Sequence, residues 1–191
     1  MSFLDFVDAP NVHNPRRLFL GKTGLALSGA AIALLAQRPA LAKGKDATAS
    51  DIRVLNSALS AELEAIAAYQ LGAESGLLKK PALDLAVTFQ GHHKEHADLL
   101  AKTVHTLGGQ AASAEKKYQF PTEGLKSQED VLRFAALLEK GAVSAYLGAV
   151  PILDNRELAK AAASILGDEA MHWAILRNAL GETPVPGAFM S

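Results

Sequence analysis

Four stretches of this chain place apolar and small residues at steps of three and four, and each carries polar residues inside its apolar stripe. The first runs Leu55, Leu59, Glu62, Ile66, Tyr69, Ala73, and the second Leu85, Phe89, His93, His96, Leu100, Val104, Leu107. The third runs Leu132, Ala135, Glu139, Ala142, Tyr146, Ala149, Leu153, and the fourth Leu158, Ala162, Ile165, Glu169, His172, Leu176, Ala179. This spacing belongs to helices that bury one face, and no stretch alternates with the period of two that a half-buried strand needs. Composition agrees: 49% of residues are hydrophobic but only 6% aromatic, and an apolar share carried by Ala and Leu favours helix over sheet. The expected fold class is all-α, a four-helix bundle of two helical hairpins joined by the long polar crossover from Gln110 to Ser127.

Punctuation marks the ends. Ser50 or Asp51 is placed to cap the first helix, Gly76 and Pro81 separate it from the second, Gly108-Gly109 follows the second, Glu129 and Asp130 suit the first turn of the third, and Pro151 ends or kinks it. The bundle is expected over 51–181, with a polar leader over 43–50 and a Pro- and Gly-containing tail over 182–191. Residues 1–42 have a different character: Asn14-Pro15-Arg16-Arg17-Leu18-Phe19-Leu20 precedes an apolar segment from Leu25 to Ala36, and Ala40-Leu41-Ala42 follows. That order is the order of a secretory signal, and the paired arginines resemble a twin-arginine export signal, which carries proteins already folded. The resemblance implies a periplasmic or otherwise exported protein. The apolar segment falls short of the roughly 20 residues that span a bilayer, so no stable membrane span is expected after signal removal.

Two absences narrow the chemistry. The chain has no Cys, which removes disulfides, thiolate metal sites and cysteine nucleophiles. Its formal charge is −1 with the basic residues scattered, so a nucleic-acid partner is not expected. Against that background the polar residues in the stripes carry the signal. A carboxylate moved from water into a packed seam costs several kcal/mol unless paired or coordinated, and here each of four helices brings one or two polar groups near its middle. Glu169-x-x-His172 and His93-x-x-His96 each direct two groups from one helix face, and Glu62 and Glu139 complete a set of six candidate metal ligands. Carboxylate oxygen with imidazole nitrogen suits iron, manganese, zinc or copper. Tyr69 and Tyr146 face the same seam, His92 and Glu95 flank it, Lys94 and Asp98 turn away, and Trp173 packs at the edge.

Leu55-Asn56-x-x-Leu59-x-x-Glu62-Leu63-x-Ala65-Ile66-x-x-Tyr69, Leu138-Glu139 with Tyr146 seven residues on, and Asp168-Glu169-x-x-His172 together resemble the ferritin-like superfamily, the bacterioferritin and rubrerythrin relatives. With the signal in front, the chain looks like the exported ferritin-like domain proteins, a group that includes desiccation-related proteins. The resemblance implies iron first, with manganese or zinc as alternatives. It implies Glu62 and His96 on one metal, Glu139 and His172 on another, and Glu169 between them. It also implies a second bridging glutamate where this chain has His93. A neutral imidazole binds one metal through one nitrogen, so a single metal or an unequal pair is expected instead of a symmetric di-iron centre. The activities implied are oxidant or metal stress protection through oxygen or peroxide chemistry, of ferroxidase, peroxidase or catalase type. The alternative is a metal-free helical interaction or stress-related scaffold of the cell envelope. Ala-rich outer faces on the second and fourth helices permit a homodimer.

Overall fold

The computed structural model describes residues 45–190, and the expected export signal over 1–42 lies outside them. Four helices make the bundle: α1 Lys45–Glu74, α2 Lys80–Thr106, α3 Gln128–Ala149 and α4 Arg156–Ala179. Two short 3-10 turns, Thr122–Gly124 and Val150–Ile152, lie in the connections, and no strand occurs among the described residues. No helix among them is long and apolar enough to cross a membrane.

The helix ends follow local chemistry. Ser127 caps α3 by accepting the Asp130 backbone N–H, and Asn155 caps α4 by accepting that of Glu157, each satisfying a donor that the first turn leaves free. Gly108 stops α2 with φ +81°, a left-handed conformation that costs glycine nothing. Pro151 has no N–H to continue the ladder, and α3 gives way at Ala149 to the 3-10 turn.

Two expectations are corrected. The first helix starts at Lys45, so residues 45–50 of the expected leader are helical; they contain neither Gly nor Pro to halt propagation. Asp51 is therefore no cap for α1. Its buried carboxylate accepts the backbone N–H groups of Asp154 at 2.8 Å and Asn155 at 3.1 Å, tying α1 to the turn before α4. Pro81 likewise sits in the first turn of α2 instead of preceding the helix, where its missing N–H is no loss.

α1 packs chiefly on α2 and α3 chiefly on α4, the two hairpins of the expected bundle, with lesser α1–α3 and α2–α4 contacts closing it. The crossover is pinned at both ends. Asn56 bonds Gln110 and Ala112 through its amide, and Phe120 packs edge-on against Phe134 of α3 with ring centroids 5.9 Å apart. Apolar burial, the main driving force, is split into two clusters. Leu55, Leu59, Leu100, Val104, Leu158 and Ile165 belong to one, and Phe89, Leu132 and Leu176 with Tyr69 to the other. The polar residues of the four stripes lie between these clusters.

Candidate metal centre

Each helix delivers its polar group to one layer. Glu62 comes from α1, His93 and His96 from α2, Glu139 from α3, Glu169 and His172 from α4, and all but His96 are at most 2% exposed. His93 lies in the middle. Its Nδ1 is 2.7 Å from Glu62 Oε2 and its Nε2 is 3.3 Å from Glu139 Oε1, so the two nitrogens face carboxylates of different helices. His96 Nδ1 approaches Glu169 Oε1 at 3.1 Å and Glu62 Oε1 at 3.5 Å. His172 Nδ1 lies 3.4 Å from Glu139 Oε1 and 3.5 Å from Glu169 Oε2.

These six residues form two overlapping groups with ligand atoms close enough to share an ion. Glu62, His93, His96 and Glu169 make one; His93, Glu139, Glu169 and His172 make the other. Glu62 with His96 and Glu139 with His172 thus fall on opposite sides, with Glu169 common to both, as the family pattern implies. His93 is also common, in the place where that pattern has a carboxylate.

A second layer holds the first. Tyr69 donates its hydroxyl to Glu139, and Tyr146 donates to Glu62 Oε1 at 2.5 Å, so α1 and α3 exchange phenols reciprocally. Asp168, from α4, stands 3.4 Å from His96 Nε2 and 3.2 Å from His172 Nε2. His172 Nε2 is also 2.8 Å from His92 Nδ1. Nε2 of His172 thus faces Asp168 and His92, and its Nδ1 faces the carboxylates of Glu139 and Glu169. Phe89 stacks on the His172 ring at 4.0 Å between centroids and limits its rotation. Gln90, one turn from the layer, donates to Ile66 O and Gln70 Oε1 and fixes α2 against α1.

Asp168 is the functional residue missed as an individual in the stripes, since it lies one position before Glu169 and off the apolar face. The signal was present as spacing: His92 with His96 and Asp168 with His172 are both four apart, so each pair occupies one helix edge. His92 joins Asp168 and His172 in a third group of metal-binding residue types at the rim. Glu95, Lys94, Asp98, Glu64 and His105 are exposed and outside the cluster. Trp173 packs at the edge of the second apolar cluster, with the Arg177 guanidinium 5.2 Å from its ring.

Electrostatics tie the groups together. Burial opposes the charged form of every member. For His93, contacts with Glu139 and Glu62 outweigh burial and raise its pKa to about 9. For His96 the opposing carboxylates are Asp168, Glu169 and Glu62, and its pKa rises to about 11. His172, beside Asp168, Glu139 and Glu169, also reaches about 11. Glu62 and Glu139 are held below the ordinary carboxylate value against burial, by His93 and His96 and by His172 and His93 respectively. Glu169 goes the other way, raised chiefly by burial with Glu139 nearby. Tyr69 and Tyr146 are pushed far up by burial and by Glu139 and Glu62, so both stay protonated.

The donor set fits a divalent metal. Five buried polar atoms make no hydrogen bond of good geometry, although four of them approach one another in pairs: His96 Nδ1 with Glu169 Oε1 at 3.1 Å, and His172 Nδ1 with Glu169 Oε2 at 3.5 Å; the fifth is Glu139 Oε2. Buried nitrogen and oxygen atoms normally find partners, and these five belong to residues of the two overlapping groups.

Comparison with known proteins agrees with this fold. A model of the ferritin-like domain matches residues 50–182. A conserved hypothetical protein of Mycobacterium tuberculosis superposes with a TM-score of 0.65 at 23% identity, over 75% of this chain and 99% of the other. A protein from Bacillus anthracis str. Ames, described as ferritin-like and diiron-carboxylate, superposes at 0.63 with 20% identity, over 72% of this chain and 99% of the other. No curated protein matches. With a match that covers the whole bundle, the chain belongs to the ferritin-like domain family.

Proposed function

We propose that this is an exported metalloprotein whose bundle core holds a divalent metal, iron first and manganese or zinc as alternatives, and that it protects against free metal or, with iron or manganese, against oxidants. The convergence of three imidazoles and three carboxylates from four helices on one layer carries the proposal. Glu62 and His96 hold one position, Glu139 and His172 the other, and Glu169 lies between them. An imidazole nitrogen serves one ion at a time, so His93 commits to one position and leaves the other weaker. The centre is an unequal pair that fills to about one tightly held ion per chain.

The chain's own groups prepare that site. Asp168 faces Nε2 of both His96 and His172 and would hold a proton on each, so that the two Nδ1 atoms, once deprotonated, would be the ones offered to a metal. Tyr69 and Tyr146 fix the carboxylate rotamers and keep their own protons near the layer. In the metal-free protein His96 and His172 take a second proton at Nδ1, which metal replaces, so loading releases protons. Iron or manganese held there would supply one-electron chemistry with oxygen or peroxide. The twin-arginine-like segment at Arg16-Arg17 supports delivery to the periplasm after folding.

The test is metal analysis of the full chain purified after export by its own signal, followed by oxygen uptake with Fe(II). About one tightly bound ion per chain, lost in Glu169→Gln, is the expected result. No bound metal, with no thermal stabilisation by added Fe, Mn or Zn, would favour the metal-free scaffold, in which His93 simply bridges Glu62 and Glu139 as a cation.

A further inference from the structure

Between α1 and α3 lies a cleft of about 520 Å³ that reaches the polar layer. Two further cavities hold about 20 Å³ each, room for little more than water, whereas 520 Å³ falls in the range of small-molecule pockets. Ala58, Ala61 and Ala65 line it from α1, and Gly141, Ala145 and Gly148 from α3. Glu62, His93, Glu139 and Tyr146 line it from the polar layer, while Leu137 and Ile152, 70% and 61% exposed, are apolar lining in contact with water. Among the described residues no Lys or Arg lines the cleft, and Glu64 adds a further acid.

Gly141 and Gly148 sharpen the case. Glycine is a poor helix former, and both lie within α3 with ordinary helical backbone. A Cβ at either would meet nothing within 4 Å, so no neighbouring helix requires their smallness. What their missing side chains leave is the open volume of the cleft.

We infer that this cleft binds a neutral single-chain amphiphile, of the long-chain alcohol class, with its polar head at Glu62 and Glu139 and its hydrocarbon chain between α1 and α3. Small apolar walls suit an unbranched chain, and an inner end where Glu62 and Glu139 outnumber the single imidazolium of His93 between them, with Glu64 nearby, disfavours an anionic head. Binding of the hydrocarbon chain between α1 and α3 does not depend on the proposed metal.

The probe is 1,6-diphenylhexatriene, which fluoresces in apolar surroundings, displaced by 1-dodecanol on the full-length protein. Gly141→Leu and Gly148→Leu should each weaken dodecanol binding by about tenfold, or about 1.4 kcal/mol, while metal content holds and the melting temperature does not fall. Ala61→Leu repeats the test from the opposite wall if an α3 variant misfolds. Three results would overturn the inference. Dodecanol could fail to displace the probe from the wild type, or the leucine variants could bind it as the wild type does. Alternatively, sedimentation could find a dimer that the leucine variants dissociate, with no dodecanol bound, and the cleft would then be the seat of a second copy. Dodecanol binding without metal binding would overturn the metal proposal alone.

Discussion

Replacing His93 by glutamate separates the two roles its ring can play. In the metal-free protein His93 is a buried cation 2.7 Å from Glu62 and 3.3 Å from Glu139, and a rise in pKa from 6.5 to about 9 corresponds to about 3 kcal/mol of favourable interaction. His93→Glu removes that and adds a fourth carboxylate to the layer. Two like charges about 4 Å apart repel by about 4 kcal/mol at an effective dielectric of about 20, relieved in part when one takes up a proton. A net loss of about 3 to 5 kcal/mol is expected, which lowers the melting temperature of the metal-free variant by about 10 °C. Metal reverses the order. A carboxylate at this position bridges two ions where the imidazole served one, so the count should rise from about one to about two per chain, and the loaded variant should melt above its metal-free form by more than the wild type does. Calorimetry of chelated and Fe(II)- or Mn(II)-loaded samples, with metal analysis of each, reads both effects. An unchanged metal-free melting temperature would refute the buried-cation role. A metal count that fails to rise would refute the claim that His93 keeps the pair unequal.

Asp168→Asn should weaken metal binding by about 10- to 100-fold, because it removes the carboxylate facing both His96 and His172, whereas Glu95→Ala should change nothing; metal titration compares the two. Tyr146→Phe strands a buried Glu62 oxygen and should cost about 1 to 3 kcal/mol in chemical denaturation, less with metal bound. The pH dependence has a definite sign. His93, His96 and His172 have raised folded pKa values of about 9 to 11, so their stabilisation is complete below about 6.5 and is lost as pH rises through that range. Glu62, Glu139 and Asp168 are depressed and lose theirs as pH falls below the ordinary carboxylate range. Chelated protein should therefore melt earlier from about pH 8 to 10.5, while loaded protein, whose imidazoles are already neutral ligands, should decline less over the same scan.

The helices and the polar layer were legible because both follow from register. A period near 3.6 assigns each stripe residue to the buried face, and a charged residue on that face must then meet partners from other helices. What register cannot give is the azimuth at which one helix lies against another. Asp168 is about 100° from Glu169 around α4, which on a lone helix points it to the side. The approach of α2 turns that side inward, toward His92 and His96. The same limit hid Asp51, whose distant partners at Asp154 and Asn155 are backbone groups and leave no trace in side-chain spacing.

The α1–α3 cleft escaped for a related reason. Ala58, Ala61, Ala65 and Ala145 read in sequence as neutral helix formers, and the small-residue faces were expected outside α2 and α4. Small residues on two facing helices either bring the helices together or leave a gap, and the sequence is identical in both cases. Gly148 separates them. If α3 used Gly148 for close packing, Gly148→Ala would clash and destabilise; a Cβ there would have nothing within 4 Å, so the substitution should stabilise the bundle by up to about 1 kcal/mol through helix propensity and the unfolded state. A Gly148→Ala variant that melts earlier than the wild type would mean that a packed surface, from a second copy or another segment, occupies the cleft in solution.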